Sequence, residues 1–164
     1  MRHAFRHLLV AAILVVVAGA CATIEPAPVR TEKIEPAIHV ALPAVDGVAP
    51  PVLTIRRVAH ASVLLEVNGV RILTDPWFTE MSGYRHGEPL GIALPDIGDL
   101  TAVVASHGHY DHYDMAGFAP YPHKDVPLIV MKGTGPVAHD VGFTNIHEVA
   151  PWQSVDVAGV KITA

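Results

Sequence analysis

Cysteine occurs once in the 164 residues, at Cys21, so no intrachain disulfide can form and no thiolate-rich zinc site can be built. Any metal must therefore be held by imidazole and carboxylate. Positive charge is also scarce: 11 Lys and Arg stand against 16 Asp and Glu, a formal net charge of -5. Beyond the first few residues there is no basic run, hence no electrostatic footprint for a phosphate backbone, and nucleic acid is set aside as a partner. No Gly-x-Ser-x-Gly elbow surrounds Ser62, Ser82 or Ser106, which excludes a serine hydrolase of that kind. Gly133-Thr134-Gly135-Pro136 lacks the Lys-Ser/Thr ending of a phosphate loop.

What is abundant is apolar: 51% of the residues are hydrophobic. Part of that is not core. Arg2 and Arg6 precede an unbroken apolar run from Leu8 to Ala18, followed by Gly19 and Ala20. A basic start, an apolar stretch too short for a comfortable membrane span and a small-residue exit are the layout of an export signal. Ala18-Gly19-Ala20-Cys21 resembles a bacterial lipobox, with Ala18 where a leucine is usual. Residues 1–21 are therefore expected to be a lipoprotein-type signal, with Cys21 lipidated and the protein held at the cell envelope through its lipid anchor or secreted. From 22 to 51 the sequence is Pro-rich and has no periodic apolar face, so a semi-extended tether is expected there, with the folded unit beginning at Val52.

Val52–Val58 and Ser62–Val67 are rich in β-branched residues and partly alternating, and Asn68-Gly69 joins the second to Val70–Thr74. Asn-Gly between two such runs predicts a hairpin with a type I′ turn. Residues 76–98 form a loop rich in Gly and Pro. A buried strand is expected at Thr101–Ser106, a short helix at Met115–Ala119, and further strands at Pro127–Met131 and Asn145–Val149 with a helix over Gly135–Val141 between them. Ala158-Gly159 joins two last strands, Ser154–Val157 and Val160–Thr163. Hairpins followed by strands alternating with helices indicate an α/β sheet covered by helices on one face.

The specific feature is the loop after Ser106: His107-Gly108-His109-Tyr110-Asp111-His112. Three histidines and an aspartate in six residues, at the end of an apolar strand, can be aimed at one point, and these donors suit zinc and its neighbours. Gly108 is expected to let the backbone fold back so that His107 and His109 converge. Trp77 and Phe78 read as core or loop anchors, and His86, in Tyr84-Arg85-His86-Gly87, as a solvated loop histidine.

The loop resembles the His-x-His-x-Asp-His motif of the metallo-β-lactamase superfamily. Together with His60-Ala-Ser-Val-Leu-Leu-Glu66 and Ile72-Leu-Thr-Asp-Pro-Trp-Phe78 it is similar to the branch holding N-acylphosphatidylethanolamine-hydrolysing phospholipase D and the ascorbate-phosphate lactonase-like hydrolases. The resemblance implies a four-layer αββα sandwich, of which Val52–Ala164 would be about the first half. It implies two divalent ions, zinc by default. His107 and His109 would serve the first, Asp111 and His112 the second, with Asp111 also the candidate catalytic carboxylate. A hydroxide generated between the ions would attack an ester or phosphodiester of a small-molecule or lipid substrate. Asp75 would lie beneath the metals and orient their ligands, and His60 would support the loop as a satisfied core histidine.

The family's remaining ligands, a third histidine for the first ion, a bridging aspartate and a last histidine, follow the strand on which this sequence stops. Two ligands per ion are fewer than the three protein ligands of an ordinary catalytic zinc site. The expectation is thus a piece of a longer enzyme, itself inactive, whose complete form hydrolyses a membrane lipid in the manner of a phospholipase D. The alternatives are a lactonase or cyclic phosphodiesterase of the same fold, and a non-catalytic envelope lipoprotein.

Overall fold

A computed structural model describes residues 37–43 and 52–164. The expectations for residues 1–21, including the lipidation of Cys21, lie outside the described residues. No helix among the described residues is long and apolar enough to cross a membrane.

The described residues build a seven-stranded sheet in strictly sequential order. Strands β1 (Ala37–Ala41), β2 (Val52–Ala59), β3 (Ser62–Val67) and β4 (Val70–Thr74) run antiparallel. Strands β5 (Ala102–Val104), β6 (Leu128–Met131) and β7 (Ile146–Val149) continue from β4 in parallel. The change of mode follows from the connections. Asn68 and Gly69, at φ of 49° and 80°, make the two-residue turn the sequence predicts between β3 and β4. The parallel strands need crossovers, supplied by the loop 75–101, by helix α1 (Met115–Phe118) and by helix α2 (Gly135–Asp140). A hairpin of β8 (Ser154–Val157) and β9 (Val160–Thr163) forms a separate two-stranded sheet.

One face of the large sheet carries Leu64, Leu73, Val103, Leu128 and Val130, buried beneath the crossovers with Phe78, Phe118, Tyr121 and Phe143. The other face carries Ile72, Ala102 and Ile129, against which Val155, Val157, Val160 and Ile162 of the hairpin pack. The alternation of β4, in which Ile72 and Leu73 point to opposite cores, is the period-2 pattern acting at its simplest.

Strand β1 lies within the stretch expected to be a tether. It pairs with β2 from Ala37↔Arg56 to Ala41↔Val52, so the sheet reaches back beyond Val52. Pattern reading misses it because four of its five residues are exposed. It is ordered by the free edge of β2 rather than by an apolar face of its own.

This topology brings three chain segments to one rim. Strands β2, β4 and β5 point the same way, so the turn after β2, the residue after β4 and the loop after β5 all emerge at their carboxyl ends. In open sheets of this kind, ligands bind at that rim.

Candidate metal centre

Asp75 follows β4 with a left-handed φ of 43°, and its amide donates to the Val104 carbonyl at 2.7 Å. That bond locks the end of β4 to the end of β5 and turns the carboxylate beneath the histidine loop. There Oδ1 accepts the Ser106 amide at 2.7 Å, while Oδ2 accepts the Ser106 hydroxyl and His112 Nδ1, both at 3.1 Å. Because a carboxylate only accepts, His112 Nδ1 carries the proton and Nε2 is left with its lone pair facing outward. Asp75 thus hydrogen-bonds directly to one of the sequence-predicted ligands.

Above it the sequence-predicted ligands come together. The His107 ring lies 4.6 Å from that of His109 and 4.1 Å from that of His112, centroid to centroid. His112 Nε2 is 3.8 Å from Asp111 Oδ2. His107 Nδ1 meets the Ser106 hydroxyl at 3.0 Å, so one serine links Asp75 to His107. The amides of His112 and Tyr113 both bond to the His109 carbonyl, at 3.1 and 2.8 Å, and this tight turn is what gathers the side chains. Gly108 is not among the residues with positive φ. Its smallness serves a close approach instead, since a Cβ there would stand 3.3 Å from Thr134 Cγ2.

His60 departs from the expectation. It is not a buried, satisfied core histidine: it sits on the β2–β3 turn at φ 46°, with its side chain 50% exposed. Its Nε2 lies 3.6 Å from Asp111 Oδ2, and its ring stands edge-on to Trp77 and His112 at 5.9 and 5.1 Å. Ligand atoms of His60, Asp111 and His112 all fall within 4.8 Å of one another. Two imidazoles and a carboxylate so arranged fit a divalent cation of zinc type.

His86 is a second departure. Far from solvated, its side chain is 9% exposed and packs on Trp77 at 4.4 Å. Burial holds its pKa below the ordinary value, opposed by Glu80, whose carboxylate accepts the His86 amide. Trp77 and Phe78 are buried, as anchors should be.

Asp114 is the residue that sequence reading passed over. Fully buried, it accepts the amides of Phe78 at 3.1 Å, Thr79 at 2.8 Å and Gly117 at 2.8 Å, and also the Thr79 hydroxyl at 2.8 Å. It thus caps α1 and clamps the 76–98 loop to the floor of the site. The signal was available: an aspartate three residues before Gly117, ahead of a short apolar helix, is an N-cap pattern. Thr79 in turn bonds Tyr110 Oη at 2.6 Å, placing that phenol at the rim.

Residues 70–164 match the family model described as a β-lactamase superfamily domain. The chain is 43% identical over 61 residues to N-acyl-phosphatidylethanolamine-hydrolyzing phospholipase D 1 of Caenorhabditis elegans, covering 34% of this chain and 17% of that one. It is 31% identical over 96 residues to the mitochondrial N-acyl-phosphatidylethanolamine-hydrolyzing phospholipase D of Saccharomyces cerevisiae, covering 55% and 20%. The chain therefore spans about a fifth of the length of these relatives. Its fold is similar to the crystal structure of a possible metal-dependent hydrolase from Veillonella parvula DSM 2008, with a TM-score of 0.55 at 20% identity over 65% of this chain and 45% of that one.

Proposed function

The chain belongs to the β-lactamase superfamily, and from that membership we propose that the protein is a metal-dependent hydrolase acting on an ester or phosphodiester, with phospholipase D-like cleavage of a membrane lipid as its reaction. The fold implied by the motif resemblance is the one found: helices on one face of a mixed sheet and a smaller sheet on the other, part of an αββα sandwich.

One observation carries the reading. His107, His109, Asp111 and His112 gather at the carboxyl ends of β4 and β5, directly above a nearly buried aspartate that fixes the tautomer of one of them. Bound divalent ions, zinc by the preference of these donors, supply a water of lowered pKa and a counter-charge for a developing oxyanion. The chain's own part is to hold and to shape. Asp75 aims His112 and, through Ser106, restrains His107. Trp77 walls the site beside His60, and Tyr110 is held by Thr79.

The lipid substrate is supported by the names of the two relatives and by the expected anchor at Cys21, which would keep the site beside a membrane at the cell envelope. The test offers N-acylphosphatidylethanolamine in vesicles, a lactone and a cyclic phosphodiester to this chain and to any longer product of the same gene. Metal-dependent release of N-acylethanolamine, abolished by His107→Ala, is the expected result. Preference for the lactone or the cyclic diester would change the substrate and keep the metal chemistry. No metal-dependent turnover of any of them would end the enzyme reading in favour of a non-catalytic envelope lipoprotein.

A further inference from the structure

We infer that His60 is a direct metal ligand, and that His60 Nε2, Asp111 Oδ2 and His112 Nε2 hold one divalent cation of zinc type using residues of this chain alone. The inference rests on the reading of the histidine loop as a metal centre and adds a ligand from outside that loop.

Packing does not account for His60. Its side chain is half exposed, so burial in a core does not hold it, and its φ of 46° is one that histidine tolerates better than most residues with a Cβ. An ion pair with Asp111 does not account for it either, because a pair this exposed adds little to stability. An exposed imidazole turned toward a carboxylate and a second imidazole points to a role for the side chain as a ligand.

The distances say which role. At 3.6 Å, His60 Nε2 and Asp111 Oδ2 are too far apart for a good hydrogen bond. Two ligands on one tetrahedral ion with bonds of about 2.0–2.1 Å stand about 3.4 Å apart. Asp111 Oδ2 lies 3.8 Å from His112 Nε2 on its other side. His112 presents that nitrogen because Asp75 occupies its Nδ1. The Trp77 ring lies against the His60 ring, nearly perpendicular to it at 5.9 Å. All three donor atoms thus border one space, and three protein ligands is the number a catalytic zinc site ordinarily has.

The test titrates the full chain with zinc by calorimetry, and with cobalt(II) by its visible absorption, beside His60→Gly and, as a control at an exposed histidine outside the site, His139→Ala. Glycine relieves the left-handed turn, so His60→Gly should fold with unchanged or higher thermal stability without metal. The expected result is one tight equivalent of zinc, retained in His139→Ala and weakened in His60→Gly by more than the roughly 10–100-fold that loss of an outer orienting partner costs. The tetrahedral cobalt spectrum should disappear with it. A His60→Gly protein that binds zinc as well as the parent, or only modestly less well, overturns the inference while leaving the hydrolase reading in place. A parent chain that binds no zinc overturns it too, and the hydrolase reading is then decided separately by the lipid, lactone and diester assay.

Discussion

Asp75 receives three donors and has none to give: the Ser106 amide, the Ser106 hydroxyl and His112 Nδ1. Asp75→Asn keeps size and shape but offers one acceptor where there were two, and its NH2 must face a partner that was donating. The side chain able to adapt is His112, by moving its proton from Nδ1 to Nε2. That would place a hydrogen on the nitrogen facing Asp111. Asp75→Asn is therefore expected to weaken metal affinity about 10–100-fold with the fold intact. Nitrogen-detected spectra of the His112 ring, showing the proton on Nε2, would separate this from general loosening, and an unchanged tautomer would refute it. At this scale the sequence was informative where residue types are chemically specialised, as with His107, His109, Asp111 and His112. It was misleading for His60 and His86. A histidine in a chain of letters carries no record of its exposure, and here the apolar-flanked one is exposed while the loop one is buried.

The element most dependent on such hidden burial is the loop from Pro76 to Gly98. Its anchors are Trp77, Asp114 and the ion pair of Arg57 with Glu88, and its mobile-looking composition conceals them. His86 is pinned among them with Nε2 buried and without a hydrogen-bond partner. Burial is the first cause of its lowered pKa, so the unfolded chain takes up a proton near the ordinary value of 6.5 while the folded chain does not. Stability tied to this group is therefore complete above that value and lost as pH falls toward the depressed folded value. His86→Leu removes both the orphaned nitrogen and the titration. Its melting temperature relative to the parent is expected to rise steadily as the buffer is taken from about pH 7 to about pH 5. A constant difference across that range would show that His86 titrates as a solvated residue. The strands, by contrast, were mostly legible. From β2 to β9 each coincides with an apolar or alternating run bounded by turn residues, and Asn68-Gly69 and Ala158-Gly159 adopt the positive φ that their hairpins require. Among the described strands only β1, whose order comes from a neighbour, left no mark in the pattern.

Across the whole molecule the two faces of the sheet are unequally built. On the helical face Phe118 stacks with Phe143 at 5.3 Å, Tyr121 at 5.0 Å and Phe78 at 6.0 Å, inside a continuous core. On the other face four of the described residues form the buried cluster, and the hairpin residues that cover them are themselves only partly buried. Beside the hairpin a cleft of about 630 Å³ opens over Val104, Ile129, Met131 and Val149. Residue patterns locate both faces, since each strand alternates, but not how completely each is covered, which depends on segments distant in the chain. Stability should follow this asymmetry. Phe118→Ala, which empties the middle of the aromatic stack, is expected to cost about 3–5 kcal/mol by urea denaturation. Val157→Ala in the hairpin is expected to cost about 1 kcal/mol or less, because the methyl groups removed are still partly wet. Hydrogen exchange would read the same difference without mutation. Amides of β8 and β9 should exchange through local opening well before those of Leu73, Val103 and Leu128. Equal protection on both sides would mean that the hairpin closes a complete second core, and the metal-bearing rim would then be supported by both faces rather than by the helical face and its Asp114 clamp.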